Sequence, residues 1–147
     1  MSLRVTAAAG EHDLLFLPWD IPLEEWPEDT IVALPRGISR HVVRFVRMSG
    51  VVYAVKETVE PIAQREYDLL FELGRRDVPC VDPVGIVAGR TDAAGEDLPA
   101  AIITRHLQFS LPYRALFSST LRPDTIARLI DALAVLMVRL HLVGFFW

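Results

Sequence analysis

The sequence predicts an α+β fold, a five-stranded antiparallel sheet carrying one packed helix and followed by more helices. Three observations carry this expectation. Residues 51–56, VVYAVK, alternate β-branched and aromatic side chains as a strand does. Residues 61–73 place Ile62, Leu69, Leu70 and Leu73 on one helical stripe, with Pro61 where a first turn accepts it and Gly74 where a helix commonly ends. Residues 123–143 spread Ile126, Leu129, Ile130, Leu133, Leu136, Met137 and Leu140 round nearly the whole circumference, the pattern of a helix buried on most sides.

The other elements follow in order. Residues 1–30 are acidic and punctuated by prolines, and they read as a flanking arm in which Trp19 and Trp26 clamp onto a domain surface. Residues 31–34 and 41–48 read as the first two strands, and Ser49-Gly50 as a tight hairpin into the third at 51–56. After the helix, two prolines hold residues 78–83 extended, and a fourth strand is expected at 84–88. Residues 89–97, GRTDAAGED, read as an exposed turn, and a fifth strand at 100–107 leaves the sheet. A short helix at 111–117 precedes the long one. The implied domains are an arm (1–30), a sheet domain (31–107) and a connector with the start of a second, helical part (108–147).

Composition narrows the function. The chain has 147 residues, 52% hydrophobic and 23% charged, which suits a folded domain with a real core. A net charge of −4 argues against a general nucleic-acid binder. The single cysteine, Cys80, allows no internal disulfide or cysteine zinc site and fits a cytoplasmic setting. No apolar run is long enough to span a membrane. Charge is unevenly spread: residues 1–35 hold seven acids and only Arg4, whereas residues 36–47 hold Arg36, Arg40, Arg44 and Arg47 and no acid.

Two charged residues stand in apolar patterns. Lys56 ends the third strand on the face of Val52 and Ala54, opposite the face of Val51, Tyr53 and Val55. Glu66 lies in the helical stripe, four after Ile62 and three before Leu69. A carboxylate there needs a cation or a wet cleft, and Lys56 is the nearest candidate. Taken alone, the two also read as a solvated strand end and a rim residue. The turn at 35–41 offers Arg36, Gly37, Ser39, Arg40 and His41 as a phosphate loop, or equally as a solvated basic hairpin.

The motifs YAVK at 53–56, REYDLLFELGRRDVPCVDPVGIV at 65–87, AIITRHLQFSLPYRALF at 101–117 and RLHLVGFFW at 139–147 resemble the N-terminal lobe of the protein-kinase-like superfamily. They are most similar to an actinobacterial kinase-like family grouped with lipopolysaccharide (Kdo/WaaP) kinases and aminoglycoside phosphotransferases. The resemblance implies ATP and Mg²⁺ as cofactors. Lys56 would hold ATP phosphates and Glu66 would orient Lys56. Val43 and Ala54 would sandwich the base, and Thr104 would stand as gatekeeper. The backbone of Arg105 through Leu107 would bond adenine, and His141 would be a packed support. The catalytic aspartate, its asparagine and the metal-binding aspartate would fall after Trp147, so no catalytic residue is expected within the chain. Lys56 and Glu66 are only ten apart, and Gly37 stands alone where protein kinases carry three glycines.

The expectation is therefore the N-terminal part of an ATP-dependent phosphotransferase with an unknown phosphate acceptor. The alternative is a non-catalytic kinase-like module using the basic hairpin 36–47. The last helix is expected to make the isolated chain self-associate.

Overall fold

The computed structural model describes residues 2–8, 10–34, 40–108 and 113–146. Among them lie strands β1 (Arg4–Ala7), β2 (Val43–Met48), β3 (Val51–Thr58), β4 (Pro83–Ala88) and β5 (Ala100–Arg105), with helices α1 (Glu60–Arg75), α2 (Tyr113–Ser118) and α3 (Pro123–Leu142). The strands form one five-stranded sheet in the order β1-β4-β5-β3-β2, antiparallel at every pairing. The α+β class with a five-stranded antiparallel sheet is as expected, but the strand at its far edge is not.

Residues 31–34 contribute a single bridge, Ile31 to Val46, and one bond from Val32 N–H to Phe45 O. Pro35 follows, and a proline brings no N–H to extend a ladder. The fifth strand comes instead from β1, inside the segment expected to be a flanking arm. β1 lies against β4 with Ala7 opposite Gly85. A Cβ on Gly85 would come within 2.6 Å of Thr6 O, so only glycine admits this approach.

The chain divides into two compact units, Met1–Phe71 with Val81–His106 and Glu72–Cys80 with Leu107–Trp147. In the first, the sheet is covered on both faces. Tyr53, Val55, Val46, Val87, Ala101 and Ile103 pack against Leu14, Trp19, Leu23 and Trp26 of the N-terminal segment. That segment folds as 3-10 turns at His12–Phe16 and Leu23–Glu25. Its indoles meet edge to face at 5.3 Å, and each N–H is satisfied, Trp19 Nε1 by Leu14 O and Trp26 Nε1 by Ile21 O. The expected arm thus supplies the layer that covers one face of the sheet, with the tryptophans buried rather than clamped outside.

On the other face, Ala63, Tyr67 and Leu70 of α1 pack on Ile86, Ala88, Ala100 and Ile102. This shifts the expected stripe by a quarter turn. Ile62 is 50% exposed and Leu69 38%, so these two do not face the sheet. Glu66 lies at the seam between the covered face and the open one.

The β2–β3 hairpin closes through Ser49 (φ 48) and Gly50 (φ 82), both left-handed as a type I′ turn requires. In the second unit, α1 ends two residues later than expected. Gly74 is inside the helix, and Asp77 (φ 54) takes the left-handed position. Val78 N–H reaches Leu73 O and Asp77 N–H reaches Gly74 O, a Schellman motif with Leu73 and Val78 buried. Pro123 opens α3 as expected, yet no residue of α3 is buried. Its Ile130, Leu133, Val135 and Val138 are about half exposed, and His141 is also exposed, stacked 5.2 Å from Phe146 instead of packed in a core.

Candidate functional site

Strand register gathers Val43, Ala54, Lys56 and Thr104 of the expected site residues on the α1 face of the sheet. In antiparallel strands, directly opposed residues share a face. Val43 opposes Lys56, and Lys56 opposes Ile102, making one row across β2, β3 and β5. Phe45 opposes Ala54, and Ala54 opposes Thr104, making the next row. Ala54, with its single methyl group, therefore lies in a trough between Phe45 and Thr104, one row from Lys56.

Lys56 Nζ bonds both carboxylate oxygens of Glu66, at 2.6 and 2.5 Å. The side chains are 26% and 31% exposed, so the pair is desolvated enough to be ordered and open enough to be reached. Elementary packing explains the meeting. Lys56 lies on the face that α1 covers, and Glu66 lies on the flank of α1 beyond Ala63 and Tyr67. An ammonium held this way keeps donor capacity for an anion.

At the other end of the trough, the rings of Phe45 and His106 meet at 5.0 Å with an interplanar angle of 64°. Phe45 did not stand among the expected site residues, and His106 did so only through its backbone. A cleft of about 470 Å³ is lined by Val43, Arg44 and Phe45 with residues 31–34, and its lining does not include Lys56, Ala54 or Thr104. That volume is in the range of small-ligand sites.

Other expected residues are placed differently. Arg105 opposes Tyr53 and so belongs to the far face, where its guanidinium pairs with Glu11 at 3.0 Å. Its N–H donates to Asp82 O, and that of His106 to Val52 O, both at 2.9 Å. These two N–H groups are engaged within the sheet and are not free to donate to a base. Leu107 is half exposed and belongs to the second compact unit. In the expected phosphate loop, Arg36, Gly37 and Ser39 lie outside the described residues, and Arg40 and His41 are exposed just ahead of β2.

The far face carries two networks that the sequence reading missed. Arg90, expected in an exposed turn, is 1% exposed. It donates to Glu57, Trp19 O, Ile21 O and Pro99 O, and Glu57 also accepts Leu23 N–H. Ending the strand at Lys56 hid Glu57. Alternation continued one residue would have put a carboxylate on the apolar face, the same signal that exposed Glu66. The second network joins Tyr53 to Glu11 at 2.7 Å. Burial, then the hydrogen bond and charge of Glu11, push the Tyr53 phenol up to about 12.

Among the described residues no group of three or more His, Cys, Asp or Glu could hold a metal ion. No helix there is long and apolar enough to cross a membrane. Comparison with family models, curated proteins and solved structures finds no match.

Proposed function

We propose that this chain is the nucleotide-binding, N-terminal part of a kinase-like, ATP-dependent phosphotransferase of the lipopolysaccharide-kinase or small-molecule-kinase type. The observation that carries the reading is the Lys56–Glu66 pair, set one row from the Ala54 trough. A strand lysine aligned by a helix glutamate is the arrangement by which kinase folds hold ATP phosphates. Lys56 binds the phosphates as a cation, and Glu66 restrains its ammonium. Val43, Ala54 and Thr104 lie within a row of Lys56, where the base belongs. No residue of the chain is assigned the proton transfer or the metal of the phosphoryl-transfer step, and the acceptor is left to the rest of the machinery.

The test is thermal stabilisation of the protein by Mg-ATP, with Lys56→Ala as control. The reading expects ATP to raise the melting temperature of the native protein and not of the variant. Glu66→Gln should weaken binding about tenfold while leaving stability within about 1 kcal/mol, because a solvent-accessible ion pair contributes little to folding. An ATP effect absent from native protein and variant alike would replace the enzyme reading by a non-catalytic module working through the basic residues 36–47.

A further inference from the structure

We infer that Phe45 and His106 select the ligand by stacking on a flat aromatic ring, so that the site takes purine nucleoside triphosphates without distinguishing adenine from guanine. The inference rests on the nucleotide reading above and adds to it the class of ligand and the residues that choose it.

The geometry comes from the register. β2 and β5 both pair with β3 and do not touch each other. Neighbouring strands run about 4.8 Å apart, and Phe45 opposes Ala54 whereas His106 lies beside Val52, so the two spring from backbones about 12 Å apart. Their ring centroids are nonetheless 5.0 Å apart. The two side chains therefore lean together across β3, closing the end of the Ala54 trough away from Lys56. Two residues of strand separate Lys56 from Ala54, about 7 Å. A phosphate held at Lys56 thus puts a ring one sugar away over Ala54, against the aromatic pair. Both rings are half-buried, open enough to receive a stacked partner.

Lax base choice follows from the hydrogen bonds. Telling one purine from another requires donors and acceptors committed to its edge. The N–H groups of Arg105 and His106 are already donated to Asp82 O and Val52 O. Thr104 offers a hydroxyl, which both donates and accepts and so suits either purine. Stacking is indifferent to edge chemistry, because every base has a π-face.

The experiment is calorimetric titration of the full chain with Mg-ATP, Mg-GTP and Mg-tripolyphosphate, the last carrying phosphates without a base. The expected result is ATP and GTP within about threefold of each other and tripolyphosphate about tenfold or more weaker, the usual worth of a stacked base. Phe45→Leu should bring both nucleotides to the tripolyphosphate level and leave tripolyphosphate itself unchanged, which also shows the variant folded. Phe45→Tyr should retain nucleotide affinity. ATP favoured over GTP by about a hundredfold, or undiminished ATP binding by Phe45→Leu, would overturn the inference while leaving Lys56 in its role. Failure of all three probes would overturn the nucleotide reading and this inference with it.

Discussion

Arg90 donates to Glu57 at 2.7 Å from a side chain with 0% solvent exposure, joining the turn after β4 to the end of β3. The same guanidinium lies 5.7 Å from the Trp19 ring and binds the carbonyls of Trp19 and Ile21. One cation therefore holds β3, the turn after β4 and the N-terminal segment together. Removing it would leave the buried Glu57 carboxylate without a counter-charge and take a donor from the carbonyls of Trp19, Ile21 and Pro99.

The expected cost of Arg90→Met is about 3–5 kcal/mol, read by urea denaturation. Arg90→Lys should recover little, because an ammonium cannot span the fork of four acceptors. The double variant Arg90→Met with Glu57→Leu should be less destabilised than Arg90→Met alone, since no charge is then left unpaired. Equal stability of the two would show that Glu57 is not the group harmed.

Tyr53 gives an alkaline signature. Its folded pKa of about 12 exceeds the ordinary phenol value of 10.0, so the protonated form belongs to the fold. Stability from this group is complete below pH 10 and is lost as pH rises from 10 toward 12. Phenolate absorbance should show one tyrosine titrating about two units late, and Tyr53→Phe should remove that step. Glu11→Gln should move it back toward 10, because both the charge and a strong acceptor are lost.

Gly85 tests the placement of β1. Gly85→Ala sets a methyl group against Thr6 O, and backbone cannot yield as a flexible side chain would. The expected loss is about 1–3 kcal/mol, with hydrogen-exchange protection falling first in residues 4–7. Unchanged protection there would mean that β1 is not bound as described.

Much of the sheet and α1 was legible because local signals agreed with their surroundings. The residues 51–56 alternate, Ser49-Gly50 suits a primed turn, and Pro61 suits a helix start. Lys56 and Glu66 stood out for a related reason, each being a lone charge in an apolar pattern. The failures share a cause as well. β1 is four residues long and owes its existence to the glycine at 85, a contact no local window reveals. Arg90 sits among turn formers, and its burial depends on carbonyls some seventy positions away in sequence. Asp77 displaced Gly74 as the left-handed residue because the buried pair Leu73 and Val78 decides where the helix stops.

α3 keeps an apolar surface, with Ile130, Leu133, Val135 and Val138 each close to half exposed. Patches of this kind favour association. The chain is expected to sediment as oligomers at high concentration, and Leu133→Glu with Val138→Glu should return it to monomer. A native chain that stays monomeric at about 0.5 mM would oppose this, since a continuous apolar helix face rarely remains free in water.

The sheet order has a kinetic consequence. β1 is made first on the ribosome but pairs only with β4, which is made after β2, β3 and α1. Arg90, which binds the carbonyls of Trp19 and Ile21, emerges later still. Until then the nascent chain carries two tryptophans with no completed surface to receive them. Closing so long a loop is slow, so docking of the N-terminal segment should be the last and rate-limiting event of folding in this unit. A chaperone that captures exposed aromatic segments would find this one available until β4 and the turn carrying Arg90 have emerged.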